Sequence, residues 1–190
     1  SIFDPNPVIF LEHRWLHNQL GNVPEGDFRV KIGEPQVRKN GTDITLIAMS
    51  YMSLEAEKAA KFLETKDISC EIIDLCTINP LNWDLIYKSV SKTGRVIALD
   101  TGSETCSFSA EIISRVSINC FDKLKNAPIR IASPDTPCPT SFNLTKDYYP
   151  GAKEIIFAVK EFFDFEFNII EIEDSTFPHD VPGEWFKGPF

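Results

Sequence analysis

Four short apolar runs, each leading through a turn into residues at helical spacing, constrain the fold of this chain more than any other feature. In the first, Ile44-Thr45-Leu46-Ile47-Ala48-Met49 reads as a buried strand, after which Met52, Ala56, Ala59, Ala60 and Leu63 recur on one helical face. Glu57 and Lys61 lie four apart on that helix and are expected to pair on its surface. Cys70-Glu71-Ile72-Ile73-Asp74-Leu75 is the second run, and Pro80 sets up a helix from about Asn82 whose apolar side holds Trp83, Ile86, Tyr87 and Val90. The third runs from Arg95 to Asp100, and its helix places Phe108, Ile112, Val116 and Cys120 in steps of four. The fourth, Ile129-Arg130-Ile131-Ala132, enters a loop stiffened by Pro134, Pro137 and Pro139. A helix after Pro150 then puts Ile155, Val159, Phe162 and Phe163 on one face. Strands alternating with helices in this way predict an α/β domain with a mainly parallel sheet and right-handed crossovers.

The flanks read differently. Val8-Ile9-Phe10-Leu11 is a short apolar run of the kind that forms a buried strand, and residues 1–12 are expected to be the last strand of a preceding domain. Residues 13–41, punctuated by Gly21, Pro24, Gly26, Gly33 and Pro35, read as a linker. Residues 42–164 hold the regular domain. In the tail, 165–190, Phe165-Glu166-Phe167-Asn168-Ile169 alternates like an edge strand. The aromatics Trp185, Phe186 and Phe190 either tuck against the domain or dock on a partner.

Charge and cysteine usage exclude several classes. Of a net charge of -9, most lies in residues 161–190, where eight acids face Lys187 alone. No basic face is visible, so nucleic acid is not an expected partner. Five cysteines, odd in number and without CxxC spacing, argue against a disulfide framework and a zinc site. No apolar run approaches the ~18 residues of a membrane span. With no signal peptide read in the opening residues, the cytoplasm is the expected compartment, or the mitochondrial matrix in a eukaryote.

Candidate chemistry concentrates in the turn after the third strand, because ligands of open parallel sheets bind at the carboxyl ends of strands. Asp100, Thr101 and Glu104 lie in that turn, and Asp135 and Thr136 follow the fourth strand. Capping of the next helix is the favoured role for Ser103, Glu104, Ser107 and Ser109. Ser50, Ser103, Cys106 and Ser107 occupy positions open to a nucleophile, but no GxSxG elbow surrounds them. There is no GxGxxG and no GxxxxGK[ST] phosphate cradle, and His13 and His17 sit beside helix breakers without an HExxH pattern. No residue is therefore expected to be catalytic, cofactor-binding or metal-binding in this chain.

Several segments, in order, resemble the C-terminal, transketolase-like domain of the beta subunit of thiamine-diphosphate-dependent 2-oxo acid dehydrogenase components. Pro7-Val8-Ile9-Phe10-Leu11-Glu12-His13 is similar to the end of that family's pyrimidine-binding domain. Gly41-Thr42-Asp43-Ile44-Thr45-Leu46-Ile47-Ala48 is similar to the opening strand of its C-terminal domain. Ile72-Ile73-Asp74-Leu75-Cys76-Thr77-Ile78-Asn79-Pro80-Leu81, Lys92-Thr93-Gly94-Arg95-Val96, Ser109-Ala110-Glu111-Ile112 and Pro134-Asp135-Thr136-Pro137 follow in the same order. The resemblance implies a three-layer, open, mostly parallel five-stranded α/β sheet. It also implies a working heterotetramer of two alpha and two beta subunits that passes an acyl group to the lipoyl groups of an acyltransferase core. Thiamine diphosphate and magnesium would belong to the intact enzyme and neither to this chain alone. The isolated domain would contribute subunit pairing, with homodimerisation open to it, and Asp100, Thr101, Glu104, Asp135 and Thr136 would lie at an interface or site rim. Relatives often carry His-Glu or Glu-Glu where Asp100-Thr101 stands, and an aspartate before Ala-Pro where Asn126-Ala127-Pro128 stands. Two other readings stay open: a free-standing regulatory or scaffold domain binding a metabolite or partner, and a piece of another thiamine enzyme such as transketolase or deoxyxylulose phosphate synthase.

Overall fold

The computed structural model describes residues 2–167 together with 179, 181, 183, 184 and 186–188. Strands are β1 (Gln36–Lys39), β2 (Ile44–Ala48), β3 (Cys70–Asp74), β4 (Val96–Ser103) and β5 (Ile129–Ser133). Helices are α1 (Tyr51–Glu64), α2 (Trp83–Thr93), α3 (Phe108–Asn119) and α4 (Ala152–Lys160). The strands form one sheet in the order β1-β3-β2-β4-β5. The pairs β2–β3, β2–β4 and β4–β5 are parallel, and β1 runs antiparallel along β3. This is the three-layer α/β architecture expected from the sequence.

The layers follow from the period-two alternation of a strand buried on both faces. Ile44, Leu46 and Ala48 of β2 point to one face, where they join Ile72, Ile97 and Leu99 under α1 and α4. From the same strands Ile47, Ile73 and Ala98 point to the other face, under Ile86 and Val90 of α2 and Ile112 and Val116 of α3. All five residues of β2 are buried.

At the amino end of the sheet a polar network is enclosed on the α2 side. The Thr45 hydroxyl lies 2.9 Å from both the Ser89 and the Thr93 hydroxyls. Glu71, 3% exposed, accepts hydrogen bonds from Ser89 Oγ and Lys92 Nζ, and from the Gly41 N–H at 3.4 Å. A buried carboxylate costs free energy unless it is paired and hydrogen-bonded, and here both conditions are met. Gly41 itself lies against β3: a Cβ at this position would stand 2.1 Å from the Cys70 carbonyl carbon.

Val8–Leu11, expected as the last strand of a preceding domain, pairs with no strand among the described residues, and its side chains are 47–88% exposed. Three sequence expectations are corrected. Part of the expected linker is β1, whose edge position leaves Gln36, Val37 and Arg38 exposed and gives little apolar signal. Residues 165–167 are not strand, and 168 and 169 lie outside the described residues. Glu57 pairs with Arg38 Nε at 2.8 Å, because β1 brings that guanidinium across the sheet edge to α1. In the tail Phe186 is buried, while Trp185 and Phe190 lie outside the described residues.

Gly41→Ala is expected to destabilise the domain by about 1–3 kcal/mol through overpacking against β3. Urea denaturation checks this, and an unchanged midpoint would contradict the close approach described here.

Candidate functional site

Asp100 ends the buried part of β4 and is 6% exposed. Its Oδ1 accepts the Gly102 N–H at 2.9 Å, and its Oδ2 accepts the Ser109 N–H at 3.0 Å. The carboxylate thus closes its own turn and caps α3 from a neighbouring strand. Ser107, the residue in the N-cap position, makes no side-chain capping bond; its hydroxyl faces that of Ser109 at 2.6 Å. The expected serine caps are therefore replaced by one aspartate, favoured by the partial positive charge of the helix N-terminus.

The five rim residues come together at the carboxyl ends of β4 and β5. The Glu104 N–H donates to the Ser133 carbonyl at 2.8 Å, and its carboxylate stands 3.7 Å from Arg130 Nη2 instead of capping a helix. The Thr101 carbonyl accepts from Ser133 Oγ at 3.1 Å, and the Thr136 carbonyl from the Tyr148 hydroxyl at 3.2 Å. Asp135 Oδ1 accepts the Thr105 N–H at 2.8 Å, and Oδ2 accepts the Thr105 hydroxyl. Those two hydrogen bonds hold the Asp135 carboxyl below the usual carboxylate range, with Arg130 adding a smaller pull in the same direction. Thr101, Glu104, Asp135 and Thr136 are exposed, so the rim faces outward.

A different helix end is capped at long range. Glu55 of α1 is 5% exposed, and its Oε2 accepts the Ala152 N–H of α4 at 2.9 Å. Its Oε1 accepts from the Tyr51 hydroxyl and from Lys58 Nζ at 2.6 Å. Burial, and then the adjacent Glu55 charge, push the Tyr51 hydroxyl far above the ordinary tyrosine value. Around Tyr51 gather His13, stacked at 5.5 Å, and Trp15 at 4.9 Å, which in turn meets Tyr149 at 5.9 Å.

At the carboxyl ends of β2 and β3 lies a cavity of about 640 Å³ that sequence reasoning missed. Its polar lining includes Arg38, Ser50, Ser53, Asp74, Cys76 and Thr77; its apolar lining includes Leu16, Met49, Leu54 and Leu75. Ser50 and Cys76, each two residues past its strand, have φ 54°, a left-handed conformation uncommon for residues other than glycine. Ser53 is 2% exposed, and its hydroxyl has no hydrogen-bond partner among the described residues. Burial, followed by the Asp74 charge, pushes the Cys76 thiol up to about 11, so it stays protonated at neutral pH. Of the four nucleophile positions considered from sequence, only Ser50 lines this cavity. Its only sequence signal was a strand-turn-helix position.

The chain matches known proteins in sequence and in overall fold. The model of the transketolase C-terminal domain matches residues 33–155. This chain belongs to the transketolase C-terminal domain family. It is 40% identical over 161 residues to the pyruvate dehydrogenase E1 component subunit beta of Rhizobium meliloti (strain 1021), a match covering 84% of this chain and 35% of the relative. It is 37% identical over 161 residues to the mitochondrial 2-oxoisovalerate dehydrogenase subunit beta 2 of Arabidopsis thaliana, covering 84% and 44%. Against the acetoin:2,6-dichlorophenolindophenol oxidoreductase subunit beta of Cupriavidus necator the figures are 35% identity over 161 residues, 85% and 48%. Among solved structures it superposes on a split-gene transketolase, an inactive beta4 tetramer, with a TM-score of 0.59 at 25% identity, covering 75% of this chain and 45% of that one. The chain thus spans half or less of the length of these relatives.

Asp100→Ala removes both acceptors from the Gly102 and Ser109 N–H groups and is expected to cost about 1–3 kcal/mol, with Asp100→Asn costing less. Thermal and urea denaturation of the two variants check the order. For Asp135 the depressed value means that its contribution is full above the unfolded-state pKa and is lost as pH falls through the folded value. Thr105→Val should raise the Asp135 midpoint toward its ordinary value in an NMR titration; no movement would remove the Thr105 hydroxyl as a cause.

Proposed function

We propose that the chain is the C-terminal domain of the beta subunit of a thiamine-diphosphate-dependent 2-oxo acid dehydrogenase component, which decarboxylates a 2-oxo acid and passes the acyl group to lipoyl groups. The observation that carries the reading is the 161-residue stretch that is 40% identical to a pyruvate dehydrogenase E1 beta subunit. On this reading residues 1–12 are the end of a pyrimidine-binding domain, 13–41 lead across, 42–164 form the domain and 165–190 extend it. The bare apolar side chains of Val8–Leu11 suit a strand that belongs to another sheet.

The residues at the carboxyl edge do not fit a diphosphate. Asp100 and Asp135 are committed to backbone N–H groups, and Glu104 faces Arg130, so the rim offers carboxylates where a polyanion needs donors. Thiamine diphosphate and its magnesium are therefore assigned to the rest of the enzyme. Asp100, Thr101, Glu104, Asp135 and Thr136 serve as a rim or interface, with Asp100 holding the turn from beneath. The partners are an alpha subunit, a second beta subunit and the lipoyl acyltransferase core. Self-association of a beta chain, as named for the similar split-gene transketolase, supports pairing through this domain. Among the described residues no helix is long and apolar enough to cross a membrane, which suits a cytoplasmic or matrix enzyme.

Split complementation tests the proposal. Co-expressed with an alpha subunit and a beta subunit cut back to its N-terminal domain, the chain is expected to co-purify with both and restore 2-oxo acid decarboxylation. Failure to associate with either would sink it, and so would saturable binding of thiamine diphosphate and magnesium by the chain alone in calorimetry.

A further inference from the structure

The cavity at the carboxyl ends of β2 and β3 carries two opposite charges that are not hydrogen-bonded to each other. Arg38 Nη1 and Asp74 Oδ2 both face it from adjacent antiparallel strands and stand 4.0 Å apart, beyond hydrogen-bond distance. Each group is held from behind. Arg38 Nε donates to Glu57 at 2.8 Å, and Asp74 Oδ1 accepts the Cys76 N–H at 3.3 Å. That leaves Arg38 Nη1 and Asp74 Oδ2 at the cavity as a long ion pair, with no hydrogen bond between them.

The chemistry of the lining selects the ligand. A simple anion that met Arg38 would also meet the carboxylates of Asp74 and Glu57, and a simple cation that met Asp74 would meet Arg38. A zwitterion satisfies both with matching charge on short centres. The lining also includes hydrocarbon side chains, from Leu16, Met49, Leu54 and Leu75. The buried Ser53 hydroxyl, which has no partner among the described residues, supplies one more hydrogen-bonding group at the same cavity. A buried polar group without a partner costs free energy, and a bound carboxylate relieves that cost.

We propose that this cavity binds a free α-amino acid with an aliphatic side chain, its carboxylate on Arg38 and Ser53, its ammonium on Asp74 and its hydrocarbon against Leu16, Met49 and Leu54. The site is separate from the rim at β4 and β5 and places a metabolite-binding function within this domain. The geometry gives it a binding role only. The Cys76 thiol in its wall stays protonated at neutral pH and forms no bond to the ligand.

Calorimetry on the 190-residue chain with L-leucine, 4-methylpentanoate and 3-methylbutylamine separates the contributions, because the three share a hydrocarbon and differ in charge. Leucine is expected to bind saturably, and each singly charged analogue about ten-fold or more weaker. Asp74→Asn should lower leucine affinity by a similar factor. Ser53→Ala, which removes no hydrogen bond of the fold, should weaken leucine binding about three-fold or more while the circular dichroism spectrum stays unchanged. No heat with leucine into the millimolar range, equal or tighter binding of either analogue, or a Ser53→Ala variant that binds leucine as tightly as the parent would each overturn the proposal.

Discussion

Burial of β2 on both faces is the constraint on which the rest of the structure depends. Its five residues are enclosed, so the strand needs a hydrogen-bonded neighbour on each side and a helical layer above and below. β3 and β4 supply the neighbours; α1 with α4, and α2 with α3, supply the layers. The hydroxyl of Thr45 is the exception in an otherwise aliphatic strand. Its enclosure is offset by Ser89 and Thr93, which join α2 to the sheet by polar contact as well as by packing.

Two carboxylates then fix the helices that the core alone leaves free to slide. Asp100 holds the start of α3 from a strand end, and Glu55 holds the start of α4 from another helix, with donor and acceptor 97 positions apart in the chain. In both cases the acceptor for the helix N-terminus comes from a different element, so the cap records tertiary position as well as local conformation. The same economy explains why the rim at β4 and β5 offers structure in place of reactive groups: its acids already have partners.

The parts of the fold legible in the sequence were those whose burial forces a period. Ile44–Met49, Cys70–Leu75, Arg95–Asp100 and Ile129–Ala132 read as strands because sheet burial leaves an apolar run, and the helices because Ala56, Ala60, Ile112 and Val116 recur at helical spacing. β1 was not legible, since an edge strand of Gln36, Val37, Arg38 and Lys39 needs only one buried side and carries charges that discourage further pairing. Val8–Leu11 shows the converse: an apolar run states a need for cover without stating which residues provide it. At the site, the turn acids were legible as a group, but the replacement of Ser107 by Asp100 as the cap depends on a strand end meeting a helix start. The cavity was invisible because Arg38, Ser53 and Asp74 come from three elements. Its one trace was Ser50, singled out only by its place after the first strand.

The aromatic group at Tyr51 has a mechanical meaning. His13 stacks on Tyr51 and Trp15 meets it edge-on, Tyr51 hydrogen-bonds Glu55, Glu55 caps α4, and Tyr149 closes the circle onto Trp15. The bare run Val8–Leu11 therefore leaves the domain from a fixed root two residues before His13. Whatever body engages that run is presented with a handle of set direction, and a pull on the handle is delivered to the amino ends of α1 and α4 together.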